Sequence, residues 1–249
     1  MITLKSPAEI ELMDQAGRIV WEAHESVRRM IRPGVCTEAL NKAAEECIRD
    51  HGAVPSFLGY HGYPASICVS INEEVVHGIP GKRQIREGDV VSVDIGAIRQ
   101  GYHGDAARTY WAGEISEANE RLIRVTEESF WEGIKYAKEG FRLSDISAAI
   151  QRYVEERGYS VVRDLTGHGI GREMHEDPPI PNFGLPGKGP RLKSGMTLAI
   201  EPMINAGAAP VIILDDGWTV VTRDKSVSAH YENTIAITED EPVVLTMGG

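Results

Sequence analysis

Several acidic side chains and one histidine occupy positions where a folded chain needs a reason to keep them. Glu201 lies within Thr197-Leu198-Ala199-Ile200-Glu201-Pro202-Met203-Ile204, a run that would strand a charge in the core unless something compensates it. Glu232 repeats the anomaly in His230-Tyr231-Glu232-Asn233-Thr234-Ile235-Ala236-Ile237. Asp94 follows Val90-Val91-Ser92-Val93 and is expected to end a strand. Asp105 opens a second extended run, Ala106 to Trp111, after a connection from Gly96 to Gly104 whose glycines suit a hairpin-like return. Taken singly, each Asp reads as a turn residue bonding its local backbone, and each Glu as an edge-strand charge. Taken together, they read as carboxylates converging on cations. His168 sits in Thr166-Gly167-His168-Gly169-Ile170-Gly171. Its glycines permit close backbone approach, and the strand–helix frame of a dinucleotide fingerprint is missing. Alone it is a turn histidine; beside four acids it is a candidate nitrogen donor.

The elements that must position these groups repeat along the chain. Ser6-Pro7-Ala8-Glu9 has the form of a helix start, with a capping box and a proline at the first helical position. Ile10, Met13, Gly17, Val20, Val27 and Ile31 then recur at helical spacing until Pro33-Gly34. A second helix is expected from about Thr37 to Asp50, a third from Glu117 to Lys138 and a fourth from Asp145 to Glu156. Gly34 and Gly140 stand 106 positions apart, and so do Gly52 and Gly158. Leu40, Ala43 and Ala44 fall opposite Ile146, Ala149 and Ile150 without a gap, which favours a duplicated unit. Gly88 to Asp94 parallels Gly195 to Glu201 at an offset of 107, making Asp94 and Glu201 candidate symmetry mates. The expectation is an α+β chain, 1–249, in one compact body of two halves, about 1–115 and 116–249, with a site between them. The prolines from Pro178 to Pro190 mark a long surface loop.

The ordered set Tyr60-His61-Gly62-Tyr63-Pro64, Ser70-Ile71-Asn72-Glu73, His77-Gly78-Ile79-Pro80, Val93-Asp94-Ile95-Gly96, Gly104-Asp105, Gly167 to Gly171, Glu201-Pro202 and Glu232-Asn233-Thr234 resembles the type I methionine aminopeptidases. These are the short bacterial kind, within the creatinase/aminopeptidase "pita-bread" family. The resemblance covers the whole chain. It implies a pita-bread fold: two pseudo-twofold halves with a central antiparallel sheet covered by helices. It implies a dinuclear centre in which Asp94 binds one metal, His168 and Glu201 the other, and Asp105 and Glu232 bridge both. Four carboxylates then balance two divalent ions. Oxygen-rich ligation with one imidazole suits Mn²⁺ or Fe²⁺, with Co²⁺ a common activator in vitro. The implied reaction is hydrolysis of the bond after an initiator methionine by a metal-bridging water or hydroxide, with a small second residue. Glu201 is then the proton shuttle, and His77 and His175 contact the substrate. Away from the resemblance, His77 is a loop residue and His175 a partner for Glu176. The implied methionine pocket is Tyr60, Tyr63, Cys68 and Trp218, with Phe57 and Met174 in wall positions. Those two depart from many bacterial relatives, which carry a small residue or cysteine at the first and an aromatic at the second. His61 and His103 are expected to be structural neighbours of the site. The resemblance further implies nascent polypeptides, deformylated near the ribosome, as partners.

Composition narrows the alternatives. Lys and Arg number 26 against 37 Asp and Glu, a net charge of −11 that disfavours nucleic acid and anionic lipid. A chain this long buries roughly 70–75% of its extended surface, so it needs no disulfide or structural metal merely to fold. Cys36, Cys47 and Cys68 form no zinc framework and read as reduced thiols. Met1 to Glu9 lacks a signal-peptide pattern, and no run of apolar residues is long enough to span a bilayer. A cytoplasmic monomer is expected. The competing readings are a prolidase-like relative, which usually carries an extra N-terminal domain, and a binding protein that kept the fold without turnover.

Overall fold

The computed structural model describes residues 1–248. Ser6 caps helix α1 (Pro7–Arg28): its Oγ accepts from the Glu9 amide (3.4 Å), and its own amide donates to Glu9 Oε2 (2.8 Å). The apolar period continues to Ile31, but the helix stops at Arg28 and unwinds through Met30, before the pair Ile31-Arg32 that precedes Pro33. Helix α2 (Thr37–Asp50) packs beside α1. Helix α3 (Glu117–Ile134) ends four residues before the expected Lys138. Its last turn tightens into i→i+3 bonds from Tyr136 to Gly133 and from Ala137 to Ile134. Helix α4 is Leu143–Glu155. The glycine pairs behave alike: φ is 90° at Gly34 and 92° at Gly140, 66° at Gly52 and 84° at Gly158. None of the helices among the described residues is long and apolar enough to cross a membrane.

The strands, in chain order, are β1 (Val54–Pro55), β2 (Ile67–Ile71), β3 (Glu74–Val76), β4 (Val90–Arg99) and β5 (Tyr102–Trp111). Then come β6 (Ser160–Val161), β7 (Gly167–Gly169), β8 (Glu176–Ile180), β9 (Thr197–Ile200) and β10 (Met203–Asn205). The last are β11 (Val211–Ile213), β12 (Val220–Thr222), β13 (Ser228–His230), β14 (Asn233–Ala236) and β15 (Val243–Val244). All pairings are antiparallel. They make four hydrogen-bonded pieces: β1-β4-β2 with β5 on β4, β13-β10-β6, β11-β12-β3, and β15-β14-β9-β7-β8. Helices cover this layer, giving the expected α+β pita-bread architecture.

One expectation is corrected here. Asp94 does not end its strand, and Gly96 to Gly104 is not a connection. Strand β4 runs on to Arg99, and the return is a two-residue hairpin loop at Gln100 (φ 50°) and Gly101 (φ 80°). Gly96 reads as a turn signal but lies in the strand, because a Cβ there would press on Phe57 Cε1 and Ser56 Cβ at 2.8 Å.

Two apolar cores lie beneath the helix pairs. One packs Val20, Val27, Leu40 and Ile48 on Ile67, Val93 and Ile95; the other packs Leu122, Phe130, Ile146 and Ile150 on Leu198, Ile204 and Ile235. Each such side chain, fully buried, contributes about 1.5–3 kcal/mol. A smaller cluster of Met13, Tyr102, Ile170, Ala199, Ala236 and Leu245 joins them. In it the C-terminal segment seats against α1, where the Leu245 carbonyl fills the space a side chain on Gly17 would need. That segment also braces β14. The Leu245 amide donates to Thr234 O (2.9 Å), and Thr246 Oγ1 accepts from the Thr234 amide (3.1 Å) while donating to Asn233 Oδ1 (2.9 Å).

Candidate metal centre

Register brings the acids together. In the β4–β5 pair, Asp94 lies opposite Ala107 and Gly96 opposite Asp105. Asp94 and Asp105 are therefore diagonal neighbours on one face, within reach of each other. A protonated Asp105 carboxyl can donate to Asp94. On the other side of the centre, β9 pairs with β14 as far as Ile200 opposite Asn233, and β10 with β13 from Met203 opposite His230. Both strands are interrupted at the same level, by Glu201-Pro202 on one and Tyr231-Glu232 on the other. The interruption turns both glutamates out of the ladder. The Glu232 amide is then satisfied by the Ala107 carbonyl of β5 (2.9 Å).

His168 lies opposite Ala199 in the β7–β9 pair, so Glu201, two residues on, is its diagonal neighbour. Close approach here requires the flanking glycines: a Cβ on Gly167 would collide with the Ala199 carbonyl and one on Gly169 with the Asp177 carbonyl. His168 Nδ1 donates to Gly169 O (2.9 Å), which leaves the Nε2 lone pair free. That Nε2 stands 3.7 Å from both Asp105 Oδ2 and Glu201 Oε1. One ligand atom each from Asp105, His168 and Glu232 lies within 4.8 Å of the others.

The residues fit a cation. Asp94 Oδ1, Asp105 Oδ1 and Glu232 Oε1 are buried with no hydrogen-bond partner in the protein. Such atoms are costly unless a proton or metal occupies them. Burial pushes the Asp94 carboxyl up to about 7. Burial, then Glu232 and Asp94, push Asp105 upward; burial and Asp105 do the same to Glu201, and burial and Glu201 to Glu232. Burial and His175 hold His168 down to about 3, so the imidazole is neutral and available as a ligand. Four carboxylates and a neutral imidazole balance two divalent ions.

A cleft of about 190 Å³ opens from these ligands. It is smaller than the roughly 300–1,000 Å³ of drug-sized sites and seats a single side chain. Phe57, Tyr63, Cys68 and Met174 are buried in one cluster, with Tyr60 and Trp218 packed against it. The Tyr63 and Trp218 rings meet edge to face at 5.1 Å. Tyr63 Oη donates to Gly78 O (3.0 Å), fixing its ring. His77 and His175 line the same cleft. Burial, with His175 nearby, lowers His77 to about 4. His175 is exposed at the rim, its ring 4.2 Å from that of His168. His61 lines the mouth, while His103 is buried, with its Nδ1 2.9 Å from Ser56 Oγ.

Three supporting residues escaped the sequence reading. His230 is buried, with Nε2 unpartnered and 3.8 Å from Glu201 Oε2 and 3.9 Å from Glu232 Oε2. Its place two residues before Glu232 in an extended segment was the available signal. Arg108 donates to the Glu232 carbonyl and to Asn233 Oδ1 (2.6 Å), clamping the interrupted strand. Asn182, buried just past β8, donates to Glu201 O (2.9 Å); the expected surface loop from Pro178 thus begins only after β8, which takes in Pro178 and Pro179.

The sequence model of metallopeptidase family M24 matches residues 11–239. The methionine aminopeptidase of Clostridium perfringens is 56% identical over 247 residues, covering 99% of both chains. Methionine aminopeptidase 1 of Bacillus subtilis is 55% identical with the same coverage. This chain belongs to the type I methionine aminopeptidases of metallopeptidase family M24. The crystal structure of the methionine aminopeptidase from Thermotoga maritima superposes on this M24 chain with a TM-score of 0.98, at 50% identity and 100% coverage of both. A prolidase from Pyrococcus furiosus shares the fold at a TM-score of 0.78 and 24% identity; the chain spans 66% of its length.

Proposed function

We propose that this M24 peptidase removes the N-terminal methionine from peptides and nascent proteins whose second residue is small. The observation that carries this reading is the junction itself: a one-side-chain cleft that ends on Asp94, His168 and Glu201, with the buried carboxylates of Asp105 and Glu232 in the same cluster. A flexible thioether fits the aromatic and sulfur-lined walls. Asp94, Asp105, His168, Glu201 and Glu232 would hold two divalent ions, Mn²⁺ or Fe²⁺ by the chemistry of the donors. When bound, these supply Lewis acidity and an acidified water. Glu201, raised by burial and its acidic neighbours, would take a proton at its carboxylate and return it to the leaving amine. His175 and His77 supply donors above the ligands, where the carbonyl oxygen and the scissile amide of a methionyl peptide would sit. The cleft walls hold the methionine side chain and keep water from it. A cytoplasmic setting, with deformylated chains leaving the ribosome as substrates, completes the proposal.

The test is release of free methionine from Met-Ala-Ser and Met-Leu-Ser by metal-free protein titrated with Mn²⁺ or Fe²⁺. Metal-dependent release from Met-Ala-Ser, with rates falling as the second residue grows, is expected. Equal kcat/KM for the two peptides would sink the small-residue rule. Binding of either ion without release, or cleavage of Xaa-Pro peptides instead, would overturn the activity.

A further inference from the structure

Tyr60 stands in a single helical turn, Tyr60–Gly62, at the mouth of the cleft. As a pocket wall it needs only its ring. Its hydroxyl does something more specific, reaching His175 Nδ1 at 2.8 Å with the two rings 5.3 Å apart. The turn that aims it has positive φ at Gly59 (82°), His61 (48°) and Gly62 (89°); the two glycines adopt it freely, and only His61 bears a backbone cost there. His61 packs edge-on against the Tyr60 ring at 4.3 Å, and the Tyr63 amide donates back to Tyr60 O (2.9 Å).

A neutral imidazole carries one N–H and one lone pair, and the bond made by one nitrogen decides the state of the other. A phenol is a good donor and the bare imidazole nitrogen a good acceptor. The Tyr60 hydroxyl therefore donates to Nδ1, and the hydrogen of His175 resides on Nε2. His168, whose ring lies 4.2 Å away, is set the opposite way: its Nδ1 donates to Gly169 O, and its Nε2 keeps the lone pair. Two adjacent histidines are thus held in opposite tautomers, one offering a lone pair and the other an N–H.

We propose that Tyr60 is a positioning residue for hydrolysis: its hydroxyl fixes His175 as an Nε2–H donor to the carbonyl of the scissile bond. This rests on the peptidase reading above. The test compares Tyr60→Phe, which keeps the wall and loses only the hydroxyl, with Tyr60→Ala, which loses both. For Tyr60→Phe, kcat on Met-Ala-Ser should fall about 10- to 30-fold with KM within about twofold, short of the 10²–10³ lost when an oxyanion donor is removed outright. Tyr60→Ala should show the same loss in kcat and a rise in KM. Independently of turnover, ¹⁵N NMR of the metal-free protein should show His175 as one tautomer in the wild type and as a mixture in Tyr60→Phe. An unchanged kcat, or an unchanged tautomer ratio, in Tyr60→Phe would overturn the proposal and leave Tyr60 a wall. Failure of the wild type itself to release methionine would strike the peptidase reading alone, with the NMR comparison still deciding the tautomer.

Discussion

In the proposed reaction Glu201 would serve twice at one carboxylate, as cation ligand and as proton carrier. Glu201→Gln keeps the shape and removes both the charge and the acceptor. Its kcat should fall by at least about 10²-fold, the usual scale for losing a general base. Its metal affinity should weaken as well. Turnover at matched metal occupancy separates the two, and wild-type kcat there would refute the proton-carrying role. The carboxylates were legible in the sequence because a charge inside an apolar run contradicts its surroundings. His230 was not, since a buried histidine is unremarkable until its Nε2 is seen facing Glu201 and Glu232. Arg108 escaped for a similar reason: its partners are backbone carbonyls and the Asn233 amide oxygen, and no charge pattern announces those.

At the scale of elements, ligand placement depends on strands that diverge from regular sheet. The helices were readable from their apolar period, which a capping box reinforces at Ser6-Pro7-Ala8-Glu9 and which stands alone at Thr37–Asp50, where Cys36 makes no side-chain cap. Strand ends were harder. Gly96 carries a turn signal yet sits mid-strand, because its missing side chain makes room for Phe57, a contact across 39 positions of sequence. Likewise, nothing local reveals that the interruptions at Glu201-Pro202 and Tyr231-Glu232 fall side by side. The crowding around β7 offers a test. A methyl group at Gly167 would press on the Ala199 carbonyl and force β7 away from β9. Gly167→Ala should cost about 1–3 kcal/mol, the range for overpacking a closed site. Because His168 moves with the strand, metal affinity should drop in parallel. Chemical denaturation and metal titration measure the two, and a variant as stable and as avid as wild type would contradict the packing argument.

For the molecule as a whole, the buried acids link stability to pH. Asp94 ionises near 7 in the metal-free fold against about 3.9 in an unfolded chain, and Asp105, Glu201 and Glu232 are raised too. Above about pH 4 these carboxylates hold more protons in the fold than in an unfolded chain, so their contribution to stability falls as pH rises. Below about pH 6.5 His24, His77, His103, His168 and His230 oppose them, because burial keeps these imidazoles neutral in the fold while an unfolded chain protonates them. Metal-free protein should therefore lose stability as pH rises above about 6.5, where only the acids still titrate. Added Mn²⁺ should stabilise it more at pH 7.5 than at pH 5.5. Thermal melts at the two pH values check this, and a stabilisation independent of pH would show that the acids are not protonated without metal. The seating of Leu245 and Thr246 against α1, Asn233 and Thr234 ties the strand after Glu232 to the first helix of the fold. A side chain at Gly17 would displace the Leu245 carbonyl, loosen the hydrogen bonds that this segment makes to Thr234 and Asn233, and so disturb a candidate metal ligand that it never touches.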